Sequence, residues 1–167
     1  MIIYLDFDGV LHPDAVYRPR NKPLELRGEG SLMMHAPILI GILDQHPDVK
    51  IILSTSWVRE LGFYRTLKKM PAALADRVIG ATWHKSMARR DGLDISYSKS
   101  RFQQIESHAV RSGIKDWLAI DDLHSAEETH LWTDEHLDCL VLTEQSVGIS
   151  SASTQRELIN KLRNFKK

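Results

Sequence analysis

The sequence has little cysteine, no excess charge of either sign and no long apolar run. A single cysteine among 167 residues excludes an internal disulfide, and Cys139 lies in the apolar run 137–142, where we expect a buried thiol. Lys and Arg total 22 and Asp and Glu total 22, which excludes a global field that would draw the chain to nucleic acid or acidic membranes. No apolar stretch reaches the roughly 20 residues of a membrane span. The first apolar run meets Asp6 too early for a signal peptide, so we expect a cytoplasmic protein without a membrane partner.

What the sequence does contain is the pattern of an α/β domain. Its length fits one domain over residues 1–167, large enough to bury its own core. Short apolar runs have the composition of buried strands, and they lie at residues 2–5, 49–53, 78–83, 117–120 and 137–142. Stretches with helical features separate or follow them, at residues 36–45, 59–70, 71–77, 100–112 and 154–165. This alternation predicts a central, mainly parallel five-stranded sheet with helices on both faces.

Polar side chains follow three of the predicted strands at the point where each strand ends. Asp6 and Asp8 follow the first strand, Ser54 and Thr55 follow the second, and the acidic pair 121–122 follows the fourth. The carboxyl ends of parallel strands meet at one edge, where open α/β sheets bind their ligands. Each group alone also fits a solvated turn, and Asp-x-Asp-Gly alone also fits half of a calcium loop. Together, the groups predict one acidic site at this edge.

The residue types at the strand ends fit phosphoryl transfer through an aspartate. Such a reaction needs a carboxylate that attacks phosphorus, an acid that protonates the leaving oxygen, and donors for the phosphoryl oxygens. Asp6 fits the nucleophile, and Asp8 fits the general acid and base. The hydroxyl and backbone N–H groups around Thr55 fit the phosphate clamp, with Ser54 as the alternative.

Acidic side chains so close together also predict a metal ion. Without a cation or a proton, the carboxylates would repel one another. Magnesium takes oxygen ligands from one or two carboxylates, a carbonyl and waters. We expect Mg²⁺ to bind the side chains of Asp6 and Asp122 and the backbone carbonyl of Asp8. Asp121 would support these ligands from outside the coordination sphere.

One further cation is expected beside the nucleophile. Lys99 lies at the start of the helix that precedes the Asp-Asp strand, and it could hold Asp6 and a phosphoryl oxygen together. Lys85 and Arg101 are the alternatives. A lysine at the start of a helix also fits a purely solvated position, so Lys99 is chosen for its place in the chain.

Four aromatic side chains flank the predicted site and receive no catalytic role: His12, Trp57, Trp83 and His84. Trp57 follows the phosphate clamp and could stack on a base or a sugar, but we expect it to pack beside the second strand. His12 lies in a loop beside Pro13 and could orient the substrate or its leaving group.

In their order along the chain, these motifs resemble those of the haloacid dehalogenase-like (HAD-like) phosphohydrolase superfamily. The matching elements are Asp-Phe-Asp-Gly-Val-Leu at residues 6–11, the Ser and Thr after the second strand, Lys99, and the Asp pair 121–122. The resemblance implies a Rossmann-like three-layer sandwich and Mg²⁺-dependent hydrolysis of a phosphate monoester through an aspartyl-phosphate. An aspartate at position 8 favours a phosphatase over a dehalogenase, because a leaving alkoxide needs a proton.

The chain resembles the small members of that superfamily that have no cap domain. Residues at about 10–35 are rich in proline, glycine and charge and predict a flap, and residues 84–98 are too few for a folded cap. Such members include domains attached to RNA-repair proteins and phosphatases that act on protein side chains or nucleic-acid ends. An open site suits a large phosphorylated substrate, so we expect nucleic acid only as a substrate. We expect substrate specificity to depend on the flap and on residues 84–98.

Two other functions are compatible with a similar fold. A non-catalytic domain could bind a phosphorylated partner, but it would have no need of an acid and base at Asp8. A receiver-like phosphorylation switch would carry its phospho-accepting aspartate at the end of a middle strand, where this chain has Ser54 and Thr55. The sequence therefore favours the phosphatase.

Overall fold

The computed structural model describes residues 1–19, 22–87, 99–123 and 132–164. In chain order the strands are β1 (Ile2–Leu5), β2 (Val16–Tyr17), β3 (Glu25–Leu26), β4 (Lys50–Leu53), β5 (Val78–Ala81), β6 (Trp117–Asp122) and β7 (Leu140–Thr143). Five of them form one parallel sheet in the order β5-β4-β1-β6-β7. The predicted α/β fold with a central five-stranded sheet is therefore confirmed.

Helices connect the strands, as parallel pairing requires. They are α1 (Ala36–Leu43), α2 (Ser56–Leu61), α3 (Phe63–Leu67), α4 (Ala72–Ala75), α5 (Arg101–Ser112), α6 (Asp134–Leu137) and α7 (Ala152–Asn164). Among the described residues, no helix is both long enough and apolar enough to cross a membrane.

Each face of the sheet is buried in its own apolar cluster. Ile3 and Leu5 of β1 point to one face, where they belong to the same cluster as Leu39 of α1. Tyr4 points to the opposite face and belongs to a second cluster with Ile105 of α5. Because successive side chains of a strand alternate in direction, β1 is covered on both sides and stands in the middle of a three-layer sandwich.

Several predicted elements have different bounds in the structure. The helix predicted over 59–70 is divided into α2 and α3 at Gly62, whose φ of +88° is incompatible with a continuous α-helix. The strand predicted over 117–120 extends to Asp122, because its pairing with β7 continues as far as Asp122 and Thr143. This extension places both residues of the acidic pair on the strand itself.

The strand predicted over 137–142 is also shifted. Leu137 ends the short helix α6, and β7 begins only at Leu140. Between them, the side chain of Cys139 is half-buried against both apolar clusters, so it is less buried than we expected.

Within the segment predicted as a flap, β2 and β3 pair in antiparallel fashion. The Arg18 guanidinium donates to the backbone carbonyl of Glu60 at 2.8 Å and ties this hairpin to the end of α2. The second predicted specificity segment begins with a 3₁₀ turn at Lys85–Met87, and residues 88–98 lie outside the described residues. The absence of a cap domain stays a prediction.

Candidate active site

The parallel register brings the predicted site residues to one edge of the sheet. Leu5 pairs with Leu53 of β4 and with Ile120 of β6, so the residues that follow these three positions lie side by side. The backbone N–H of Asp6 donates to the carbonyl of Ile120 at 3.1 Å, and the N–H of Ser54 donates to the carbonyl of Leu5 at 2.8 Å. The ends of β1, β4 and β6 therefore meet as the sequence predicts.

Three buried carboxylates form the centre of this edge. Asp6, Asp121 and Asp122 are each at most 2% exposed. One carboxylate oxygen from each lies within 4.8 Å of the other two, a spacing that could hold a metal ion. Asp121 thus lies within the cluster rather than outside the coordination sphere as we expected. Asp8 contributes no side-chain oxygen to this group of three.

A buried arginine lies against the carboxylates. Arg101 is the first residue of α5, and its Nη2 donates to Asp6 Oδ2 at 3.2 Å. Its Nε lies 2.9 Å from Asp121 Oδ2, and its Nη1 donates to the backbone carbonyl of Ser54. The planar guanidinium presents several donors in a fixed arrangement, and here it joins the ends of β1, β4 and β6.

The structure does not bring Lys99 to Asp6. The Lys99 ammonium group donates instead to Ser107 Oγ at 2.9 Å, farther along α5. Ser100 caps α5, so Lys99 precedes the helix whereas Arg101 lies in its first turn and faces the sheet edge. Arg101, named from the sequence only as an alternative, is the cation that contacts Asp6 among the described residues. Lys85 lies on an exposed 3₁₀ turn after β5.

Burial governs the charge of the acidic cluster. Desolvation raises the pKa of both Asp6 and Asp121, and the Arg101 guanidinium opposes this rise. Asp121 Oδ2 is buried and, despite its ion pair with Arg101, accepts no aligned hydrogen bond from the described residues. One guanidinium cannot balance three carboxylates. Because the donors are all oxygen and one buried oxygen keeps its lone pairs, the residues present fit a hard divalent cation.

Asp8 points to a different part of the site. Its side chain is 20% exposed and contacts His12 and Trp57. Gly9, which directly follows Asp8, has a φ of +69°, and a Cβ at this position would lie 2.6 Å from the Cβ of Asp122. A residue without a side chain is therefore required for β1 to turn sharply beside the acidic cluster.

The two clamp candidates also lie at the end of β4. Ser54 is buried, and its Oγ lies 3.4 Å from Arg101 Nη1. Thr55 is the N-cap of α2, where its hydroxyl accepts from the backbone N–H of Trp57 at 3.4 Å. That either residue clamps phosphate stays a prediction.

A buried threonine supports the site and was not predicted. Thr143, at the end of β7, donates through its hydroxyl to the backbone carbonyl of Gly9 at 2.6 Å. The same hydroxyl lies 3.4 Å from the carbonyl of Asp121. Like the other site residues, Thr143 is a polar residue at the end of a strand. This position in the sequence could have identified it.

A groove of about 730 Å³ begins one helical turn beyond the clamp residues, at Val58 of α2. Its lining includes Tyr64, which is 78% exposed, and Ile79, which is 59% exposed. Trp83 and Lys85 line the groove after the end of β5. An apolar groove with aromatic rings and a cation thus lies next to the element that follows the candidate phosphate clamp.

The comparisons with known proteins agree with this arrangement. A family model described as "HAD domain in Swiss Army Knife RNA repair proteins" matches residues 2–154, which include all the strands of the sheet and all the predicted site residues. No curated protein and no solved structure matches the chain. Since the match covers most of the chain, this protein belongs to the family of HAD domains in Swiss Army Knife RNA repair proteins and is a HAD-like phosphohydrolase domain.

Proposed function

We propose that this protein is a Mg²⁺-dependent phosphatase that hydrolyses a phosphate monoester through an aspartyl-phosphate on Asp6. The observation that carries the proposal is the buried cluster of Asp6, Asp121 and Asp122, with Arg101 against it and Asp8 in the same turn as Asp6. In the proposed reaction this cluster supplies both the nucleophilic carboxylate and a divalent cation site, which its three carboxylate oxygens could form.

The proposed reaction has two steps. In the first, a carboxylate oxygen of Asp6 forms a bond with phosphorus while the bond to the leaving oxygen breaks, and Asp8 gives its proton to that oxygen. In the second, Asp8 takes a proton from water, the water oxygen attacks phosphorus, and the bond to Asp6 breaks to release inorganic phosphate. When bound to the three carboxylates, Mg²⁺ would supply positive charge against them and the phosphoryl oxygens.

Arg101 has a defined part in this reaction. Its Nη2 contacts Asp6 Oδ2 at 3.2 Å, which fixes the carboxylate and leaves the other oxygen, Oδ1, with the backbone N–H of Phe7 at 2.8 Å. Both contacts pre-orient the Asp6 carboxylate before substrate binds, so its attack needs little reorganisation.

For the substrate, we propose a phosphorylated nucleic-acid end. The family model is described by its occurrence in RNA repair proteins. The groove beside the clamp presents Tyr64, Trp83 and Lys85, and aromatic rings with a cation are the groups that bind single-stranded nucleic acid without strict sequence preference. The balanced net charge of the chain makes a local groove, rather than a global field, the source of such binding.

The test is a phosphate-release assay over 3′- and 5′-phosphorylated oligonucleotides, nucleotides, sugar phosphates and phosphopeptides, with Mg²⁺ or with EDTA. We expect Mg²⁺-dependent turnover that is reduced to background in Asp6→Asn and by roughly 10²- to 10⁴-fold in Asp8→Asn. Asp48→Asn, at an exposed position in the turn after α1, is the matched control and should leave turnover unchanged. Equal rates in wild type and Asp6→Asn would contradict the proposal.

The substrate class has its own test. Tyr64→Ala removes an exposed ring from the groove and should raise KM for oligonucleotides by roughly 5- to 100-fold, which corresponds to one stacked base. We expect a small aryl phosphate to bind at the acidic cluster without extending to the groove, so its KM should not change. Equal effects on both substrates would show that the groove does not bind the oligonucleotide.

The alternative is a domain that binds a phosphorylated ligand without hydrolysing it. This alternative would be supported if no substrate were turned over while phosphorylated oligonucleotides bound equally well to wild type and Asp8→Asn.

A further inference from the structure

The Asp8 carboxyl group is held by two N–H donors from different elements. Trp57 Nε1, on α2, lies 2.9 Å from Asp8 Oδ2 and 3.2 Å from Oδ1. His12 Nε2, in the loop after β1, lies 3.1 Å from Oδ1. A carboxyl group that is 20% exposed would otherwise rotate about its side-chain bonds.

The donor role of His12 follows from its other ring nitrogen. His12 Nδ1 lies 3.3 Å from the backbone N–H of Met33, so Nδ1 accepts a hydrogen bond and the ring proton is on Nε2. Met33, which donates this hydrogen bond, has a φ of +64°, a conformation that L-residues rarely adopt. His12 is fully buried, which leaves no room for its ring to turn away.

Packing fixes Trp57 as well. Its ring is 2% exposed, so the prediction that it packs beside the second strand is confirmed. The ring makes an edge-to-face contact with Phe7 at 5.4 Å between centroids and a tilted contact with His12 at 5.6 Å. Phe7 lies between the two catalytic candidates in the chain, so this packing ties the two donors to the turn that carries both carboxylates.

We propose that His12 and Trp57 are positioning residues, which together hold the Asp8 carboxyl group where it delivers a proton to the leaving oxygen. This inference rests on the proposed function, because it presumes that Asp8 is the acid and base. It assigns a purpose to two side chains that would otherwise be ordinary members of the core.

The leaving group separates a positioning role from a merely structural one. An alkyl phosphate has a strongly basic leaving oxygen that needs the proton from Asp8. The nitrophenolate of a nitrophenyl phosphate is weakly basic and leaves readily without that proton. A misplaced Asp8 should therefore slow the alkyl substrate more than the aryl substrate. A partly unfolded or loosened protein would lose activity toward both substrates equally. We compare kcat/KM, which reports the steps up to departure of the leaving group.

The variants remove the donors while keeping the ring or the volume. Trp57→Phe keeps an aromatic ring against Phe7 but has no N–H, and we expect its kcat/KM to fall roughly tenfold more for the alkyl than for the aryl phosphate. Trp117→Phe is the matched control, because Trp117 is 5% exposed on the opposite face of the sheet. It should show no such difference between the substrates.

His12 is tested by a pair of substitutions. His12→Leu removes the donor, and we expect the same selective loss on the alkyl substrate. His12→Gln keeps an N–H donor at the distance of Nε2 and should recover most of that loss. Thermal melting of each variant, measured beside wild type, identifies any variant that is not folded, in which case Trp57→Phe and His12→Gln carry the test.

The outcomes separate this inference from the proposed function. If Asp6→Asn abolishes turnover but Trp57→Phe and His12→Leu slow both substrates equally, or neither, the phosphatase stands and the positioning role is wrong. If Asp6→Asn is as active as wild type, the proposed function itself fails. A selective loss on the alkyl phosphate, recovered by His12→Gln, supports both.

Discussion

Replacing Arg101 by methionine tests the electrostatic balance of the site. The substitution keeps most of the side-chain volume but removes the cation that lies 3.2 Å from Asp6 and 2.9 Å from Asp121. Arg101 is only 13% exposed, so water cannot replace the lost charge. Removing one partner of a buried ion pair typically costs about 3–5 kcal/mol, and we expect a loss of that size in the free energy of unfolding without metal at neutral pH.

The loss should depend on pH in a direction that can be derived. Without Arg101, the pKa values of Asp6 and Asp121, already raised by burial, rise further above the ordinary 3.8. A carboxyl whose folded-state pKa exceeds its unfolded value contributes stability at low pH that is lost as the pH rises through the folded-state pKa. Arg101→Met should therefore regain stability relative to wild type when the pH falls from about 7.5 to about 5.5.

Urea unfolding of wild type and Arg101→Met, at both pH values and with either EDTA or Mg²⁺, measures these effects. Burial lowers the pKa values of His35 and His108, so these two residues make both proteins less stable as the pH falls. Their contribution cancels when the free energy of unfolding of Arg101→Met is compared with that of wild type. Mg²⁺ at about 100 times its Kd adds roughly 2.7 kcal/mol to a protein that binds it. Bound Mg²⁺ also supplies positive charge in place of Arg101, so the difference between the two proteins should be smaller in Mg²⁺ than in EDTA.

Two further variants complete this experiment. Arg101→Lys keeps the charge and should lose less stability than Arg101→Met. Arg156→Met, at an exposed position of α7, is the control and should change stability by less than about 0.5 kcal/mol. A loss below about 1 kcal/mol in Arg101→Met without metal at neutral pH would show that Arg101 does not stabilise the buried carboxylates.

Three other predictions concern the scaffold of the site. Gly9→Ala and Gly113→Ala both place alanine at positive φ, but only the new Cβ at position 9 would collide with Asp122. We therefore expect Mg²⁺ to raise the melting temperature of Gly113→Ala but not that of Gly9→Ala. An equal loss of this Mg²⁺ effect in both variants would contradict the prediction. Thr143→Val leaves the Gly9 carbonyl without its 2.6 Å hydrogen bond and should cost about 1–3 kcal/mol in urea unfolding, more than Thr143→Ser; an unchanged midpoint would count against it. Burial raises the pKa of Tyr4 to about 12, so stability should decline between about pH 10 and 12. Ultraviolet titration should show a late tyrosine step that Tyr4→Phe removes; removal of a step near pH 10 would contradict the assignment.

The strand ends could be predicted from sequence because their cause is local. A short apolar run such as 49–53, followed at once by hydroxyl or acidic side chains, predicts both a buried strand and its carboxyl end. Parallel pairing then brings Asp6, Ser54 and Asp121 to one edge without any further information. The division of one predicted helix into α2 and α3 was missed, because the positive φ of Gly62 depends on packing as well as on residue type.

The choice between Lys99 and Arg101 could not be made from sequence. Each residue rotates a helix by about 100°, so the direction of a side chain depends on the residue at which the helix begins. Ser100 caps α5, and Arg101 in the first turn faces the acidic cluster. The contacts of His12 and Trp57 with Asp8 depend likewise on how a loop and α2 meet, which no spacing in the sequence specifies.

The proposed phosphatase reaction requires that Asp6 becomes covalently phosphorylated during turnover. The most direct test incubates Asp8→Asn, in which hydrolysis of the intermediate is slowed, with a substrate that carries radiolabelled phosphate on a good leaving group, followed by acid quenching and peptide mapping. We predict Mg²⁺-dependent label on the peptide that contains Asp6, and none in the Asp6→Asn, Asp8→Asn double variant. Turnover by wild type without label on that peptide, together with full activity of Asp6→Asn, would show that Asp6 is not the nucleophile.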